Sequence, residues 1–364
     1  MKKDEFTHMV TLDCDYADKR EQKIPIDKNI SRMFKKVRAQ AKEEHCAVCG
    51  KPCSSFCNSH SVPQFVLENI AENGIVMRPL QGELPIMGRN TGIKKAGTFH
   101  IICHDCDNTM FSDYENPDAY RCAPSGKMLA QLAAKDNLLM IDNRRKEIKL
   151  YDLLERRFEN FCSPGSGESI EEIDLREYQN GLRYALRSLD KEDSGRYNLC
   201  YFRILDYVVP YATQTGIALI VDLEGAMINN IYNFSEDYKE EYLHVAVFPL
   251  REKSAIIIFV ERENKRYRKF IKQLKKLDAN DQLAVINYMI FCYTENIFLN
   301  PTTYEAINHD SGFQDACKKT AVAASPITKP NPLERAIECY DFSKRKNMPN
   351  LLSGDYALPK CEQM

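Results

Sequence analysis

The chain predicts an α+β protein, with a cysteine-rich N-terminal domain and a larger, mainly helical C-terminal domain that carries a small antiparallel sheet. Three observations lead there. Two Cys-x-x-Cys pairs, Cys46/Cys49 and Cys103/Cys106, enclose a stretch punctuated by Gly74, Pro79, Gly82, Pro85, Gly88, Gly92 and Gly97, which reads as loops and short strands. After Pro124 the pattern turns to apolar residues at helical spacing. Between 216 and 260 it turns again, to three short β-branched runs.

The cysteine pairs come first. Each pair presents two sulfurs from one tight turn, and two such turns meeting supply the four thiolates of a closed tetrahedral Zn²⁺ site. Gly50 directly after Cys49 can take positive φ, which lets backbone amides point at sulfur. The spacer from 50 to 102 is longer than in common two-pair motifs, but it contains Ser59-His60-Ser61-Val62-Pro63. Thr98 to Ile102 reads as a strand, and a helix should begin near Cys106 and run through Met110, Phe111 and Tyr114. That order of strand, knuckle and helix suits a zinc treble clef. A second zinc site from Cys53, Cys57 and His60 with Cys46 or Cys49 is the competing arrangement, and His45 and His104 are alternates for a zinc ligand or a phosphate contact. Cys122, Cys162, Cys200 and Cys292, like the Tyr and Phe residues of the C-terminal half, read as core.

At 364 residues the chain exceeds one typical domain. Its 44% hydrophobic and 28% charged residues exclude the disordered class. No secretory signal or run near twenty apolar residues is present, so a soluble cytoplasmic protein without membrane contact is expected. Fourteen cysteines spread along such a chain read as reduced thiols and metal ligands. The expected organisation is a polar lead-in over 1–30, a zinc domain with its preceding helix over 31–124, a helical domain with a sheet over 125–324, and a tail over 325–364.

A net charge of −2 excludes a uniformly basic surface, but positive charge is concentrated twice. Between 28 and 51, Lys28, Arg32, Lys35, Lys36, Arg38, Lys42 and Lys51 face only two glutamates, a local excess of five. Ser31 is placed to cap a helix whose stripe Met33, Phe34, Val37 and Ala41 leaves the basic side chains on the other face. Between 262 and 276 eight Lys or Arg face Glu263 alone, with Phe270, Ile271 and Leu274 as the apolar stripe. Such runs are either solvated helix faces or phosphate-collecting surfaces. The first, beside the cysteine block, marks Arg32, Lys35, Lys36, Arg38 and Lys42 as candidate nucleic-acid contacts.

In the C-terminal part the spacing predicts helices over 128–140 (capped by Ser125), 150–161, 175–189, 199–212, 262–276 and 282–298. Strands are predicted over 216–221, 243–248 and 254–260, the last two joined by the turn Arg251-Glu252-Lys253.

Taken in order, Cys46-x-x-Cys49, Ser59-His60-x-x-Pro63 and Cys103-x-x-Cys106-Asp107 resemble the zinc-bearing HNH endonucleases of the His-Me, or ββα-metal, type, over residues 45–116. The resemblance implies a metal-dependent endonuclease that hydrolyses DNA, with RNA as the other substrate class. It implies His60 as the general base and Asp107 as the ligand of a catalytic Mg²⁺ or Mn²⁺, with the four cysteines holding a structural Zn²⁺. Read without the resemblance, His60 is a structural histidine under the knuckle and Asp107 a helix cap. Ser59 stands where the family has a metal-binding Asp or His, and Thr98 where it has a structural Asn. Glu115, eight residues after Asp107 and so near the same helical face, is the replacement ligand. The family's layout implies a role in restriction or antiviral defence, with the C-terminal domain as a sensor, a homo-oligomerisation or a target-selection module. The alternative is a non-catalytic, zinc-stabilised module that binds nucleic acid or protein.

Overall fold

The computed structural model describes residues 32–79, 90–157, 170–189, 195–235, 237–319 and 331–359. The expected lead-in, Lys28, the Ser31 cap, Cys162 and the punctuation at Gly82, Pro85 and Gly88 lie outside the described residues.

The protein is α+β, built around one antiparallel sheet of seven strands. In chain order β1 is Ser59–His60, β2 Ile75–Met77, β3 Asn90–Gly92, β4 Thr98–Phe99, β5 Tyr197–Leu205, β6 Tyr211–Ile217, β7 Leu243–Pro249, β8 Ser254–Glu261 and β9 Ile297–Leu299. The large sheet runs β3-β2-β9-β6-β7-β8-β5, and β1 and β4 form a separate two-stranded ribbon. The helices are α1 (residues 32–40), α2 (Gln64–Glu68), α3 (His104–Met110), α4 (Gly126–Arg157), α5 (Ile170–Leu189), α6 (Arg268–Lys276), α7 (Ala279–Tyr293), α8 (Pro301–Ile307), α9 (Ser311–Cys317) and α10 (Pro332–Cys339). Among the described residues no helix is long and apolar enough to cross a membrane.

Alternation along the central strands explains the layering. Ala255, Ile257 and Phe259 of β8 and Ala246 and Phe248 of β7 face one core, which contains Leu129, Leu132 and Ala133 of α4. Ile256, Ile258 and Val260, with Val245 and Val247, face the other, which contains Phe270 and Leu274 of α6 and Ile286 and Ile290 of α7. A strand covered on both faces reads as an unbroken apolar run, and these do.

Several expectations are corrected. The sheet is not small, because β2 and β3 from the cysteine block join it through the β2–β9 pairing Met77↔Leu299. The helix expected over 199–212 is two strands: β5 pairs with β8 from Tyr197↔Glu261 to Leu205↔Ser254, and β6 follows Pro210. Its aromatic and β-branched residues satisfy helical spacing by chance, and packing against β8 decides the outcome. The helix expected over 282–298 stops at Tyr293, and the apolar run Ile297–Leu299 is β9. A short apolar run has no period of its own to separate strand from helix.

The helix expected over 128–140 and the described part of that expected over 150–161 are one, α4, because no Gly or Pro interrupts residues 141–149; residues 158–161 lie outside the described residues. Ion pairs Lys146–Asp142 and Arg144–Glu147 support that middle. Ser125 does cap it: Met128 N donates to Ser125 Oγ at 3.3 Å. Cys292 is buried, as expected of a core cysteine, whereas Cys200 is half-buried and Cys122 exposed.

Candidate functional site

The four cysteines converge. The sulfurs of Cys46, Cys49, Cys103 and Cys106 all lie within 4.8 Å of one another. Tetrahedral Zn–S bonds near 2.3 Å require sulfurs about 3.8 Å apart, and Cys49 Sγ is 3.9 Å from Cys103 Sγ, so the set suits a metal ion such as Zn²⁺. The first knuckle closes as its glycine predicts, with Gly50 at φ +69° and its N–H donating to the Cys46 carbonyl at 2.9 Å. The second pair straddles the start of α3, with Cys103 at its N-cap. Burial alone would raise the Cys46 thiol, but backbone amides of Cys49, Cys103 and Val48 point at its sulfur and bring it down to about 7.

The competing zinc arrangement does not form. Cys53 Sγ donates to the Ser55 carbonyl and Cys57 Sγ to Asp107 Oδ2 at 3.1 Å. Burial and the neighbouring Asp107 push the Cys57 thiol up to about 12.

His60 sits on the β1/β4 ribbon, opposite Thr98 in register. Its ring is held from one side. Nε2 lies 3.1 Å from the Ile93 carbonyl, and since a carbonyl only accepts, Nε2 carries the proton and Nδ1 is the free acceptor. The turn that offers this carbonyl is itself braced. Asn58 Nδ2 donates to the Lys94 carbonyl at 2.8 Å and Thr98 Oγ1 to the Lys95 carbonyl at 3.2 Å. Thr98 thus supports the histidine indirectly, with its hydroxyl alone. Burial, reinforced by the charge of Lys135, lowers the His60 pKa and favours the neutral ring.

Asp107, on the first turn of α3, meets a partner that no sequence motif announces. Ser59 Oγ donates to Asp107 Oδ1 at 2.8 Å, and Lys135 Nζ of α4 donates to that same oxygen at 2.8 Å and to Ser59 Oγ at 2.7 Å. The Lys135 side chain is 0% exposed. Its ammonium lies 4.2 Å from the ring centroid of Phe111 and 5.2 Å from that of Tyr114, so aromatic faces complete the shell. Burial would raise Asp107, but the ammonium and the bonds from Lys135, Cys57 and Ser59 hold it below the usual carboxylate range.

Glu115 reaches the same cluster by another route than expected. The helix α3 ends at Met110, so the shared-face argument fails. A following turn, in which Glu115 N donates to the Phe111 carbonyl, carries its carboxylate to 3.8 Å from Lys135 Nζ. Burial, with Asp107 adding to it, raises the Glu115 pKa.

These residues do not fit the divalent ion expected from the resemblance. The oxygens of Ser59 and Asp107 that would bind it are already bridged by an ammonium, and a second cation there would meet the charge of the first at contact range. Asp107 and Glu115 therefore act as partners of Lys135 in this arrangement, not as ion ligands. A lysine in the middle of the apolar run 128–140 is the available signal, because a fully buried lysine requires a partner.

The basic helix has the expected polarity. Arg32, Lys35, Lys36, Arg38 and Lys42 line its outer side, while Val37 is buried. Glu43, just beyond, bonds Arg145 of α4 at 3.0 Å and ties this region to the long helix. Of the second basic run, Lys269 is spent on Asp222 (2.9 Å) and Glu224 (2.7 Å), and Arg266 on Asn229 (2.9 Å).

No protein-family model, curated protein or solved structure matches the chain.

Proposed function

We propose that residues 45–116 are a zinc-stabilised treble clef of HNH-like build which, together with the preceding helix α1, binds nucleic acid without cutting it. One observation carries this reading: Lys135 places its side-chain nitrogen on Ser59 and Asp107, the two positions where the HNH endonucleases hold their divalent ion. The charge that would neutralise a leaving oxygen is thereby buried and fixed inside the protein, out of reach of a phosphodiester. The outer face of α1 supplies the binding surface, since each phosphate it neutralises releases counterions. Purified protein in Mg²⁺ or Mn²⁺ with supercoiled plasmid, read beside a mobility-shift assay, tests it. Retarded but uncut DNA, with affinity falling steeply as salt rises, is the expected result; metal-dependent nicking overturns it.

The second reading, an HNH-type endonuclease acting on DNA, is favoured by the bond from His60 Nε2–H to the Ile93 carbonyl. It leaves Nδ1 of a neutral imidazole as the acceptor, which is what a general base needs. On this reading His60 takes a proton from water and His60→Ala loses about 100-fold or more of the nicking rate. Nicking that survives His60→Ala at full rate removes this reading.

A further inference from the structure

The geometry points to a second binding site, a cavity between α4, α5 and strands β6 and β7 that takes the ammonium group of a small primary amine. It stands independently of the nucleic-acid reading. Asp136, the residue after Lys135, is 4% exposed and holds His244, 5% exposed, through a 2.7 Å bond from Nδ1–H to Oδ2. Its other oxygen accepts from Gln214 Nε2 at 2.9 Å, so the carboxylate is fixed on both sides. The imidazole stacks on Phe259, with ring centroids 4.7 Å apart and planes at 11°.

In a neutral ring, an Nδ1–H committed to a carboxylate leaves the lone pair on Nε2. That nitrogen has no partner among the described residues, and His244 lines the cavity.

The wall also carries Glu177, Glu261, Tyr178 and Tyr242, with Asn137 and Met140 beside them. Tyr242 has one hydroxyl hydrogen for two carboxylates, Glu177 at 3.5 Å and Glu240 at 3.2 Å. Burial, with Asp174 and Glu177 nearby, pushes Glu240 up to about 7, and Glu177 is raised as well. Lys239 sits at the rim, 56% exposed and 3.6 Å from Glu261, and does not fill the interior.

As around Lys135, carboxylates and aromatic rings border a small space, and the lysine that lines it, Lys239, is more than half exposed. The cavity is partly open to solvent, and its inner space, about 20 Å³, admits one water-sized group. An ammonium has that size, three donors to offer the carboxylates and the His244 ring, and an affinity for tyrosine faces. A hydroxyl brings one donor and no charge, and an anion would face Glu177 and Glu261. A divalent metal is disfavoured by geometry, because among the described residues only the four cysteines converge as metal ligands.

Propylamine titrated into the full-length zinc-loaded protein, with 1-propanol as the neutral isostere and the His244 ring nitrogens followed by NMR, decides the matter. Saturable shifts with propylamine and none with propanol are expected, weakened at least about tenfold by His244→Asn and by Glu177→Gln. Glu177→Gln leaves the Asp136–His244 pair intact and so serves where His244→Asn fails to fold. Absence of binding up to about 10 mM, equal binding of the alcohol, or affinity untouched by Glu177→Gln overturns the assignment.

Discussion

Lys135 and Asp136 are neighbours on α4, yet the two buried clusters they build differ in one respect. Around Lys135 the cation is answered inside the protein: the ammonium lies among Asp107, Ser59, Glu115 and the rings of Phe111 and Tyr114. Around Asp136 room is left for a ligand: Tyr242 has one hydroxyl hydrogen for Glu177 and Glu240, and His244 lines a cavity. A buried charged cluster therefore marks a ligand site only after its own partners have been counted. By that standard the cluster that resembles a nuclease centre is closed, and the one with no family resemblance is open.

The closed cluster depends first on the cysteines that frame it. Cys46→Ser or Cys103→Ser is expected to remove the bound metal and unravel 45–116, since a four-thiolate site contributes on the order of 10 kcal/mol to folding. Zinc content by atomic emission and loss of a cooperative near-ultraviolet transition check this. Full zinc content in either variant would show that the sulfurs hold no common ion.

Next in size is Lys135→Met, which leaves Asp107 without its cation and should cost about 3 to 5 kcal/mol in denaturant unfolding. A cost below about 1 kcal/mol would place the ammonium outside the cluster's energetics.

Acid should act on the same bond. The folded pKa of Asp107 is depressed, so its stabilisation is present above the unfolded carboxylate value, near 3.9, and is lost as pH falls through the lower folded value. The stability difference between wild type and Asp107→Asn is then flat near neutrality and closes in acid below about pH 4. A difference that grows on acidification would contradict the assigned direction.

The smallest effect concerns the surface. Replacing Lys35, Lys36 and Arg38 with Gln should weaken DNA binding about tenfold or more and flatten the dependence of affinity on salt by roughly 0.9 for each phosphate no longer neutralised. An unchanged slope would move the nucleic-acid surface away from α1.

What the sequence discloses follows from how local each signal is. The cysteine pairs, Gly50 and Ser125 act through their immediate neighbours, and their roles are readable in a few residues. The meeting of Ser59 with Asp107, 48 residues apart, follows from motif order. The part of Lys135 does not, because nothing local marks which residue a buried lysine will find. The strands β5 and β9 resemble helix for the same reason: their identity is decided by β8, β6 and β2, not by their own spacing.

The most direct measurement titrates Mn²⁺ into zinc-loaded wild type, Lys135→Met and Lys135→Met/Asp107→Asn, followed by electron paramagnetic resonance. No Asp107-dependent Mn²⁺ site in wild type, one gained on removing the lysine, and its loss again in the double variant is the predicted sequence. Mn²⁺ bound by wild type and released by Asp107→Asn would contradict the claim that the protein carries its own cation there.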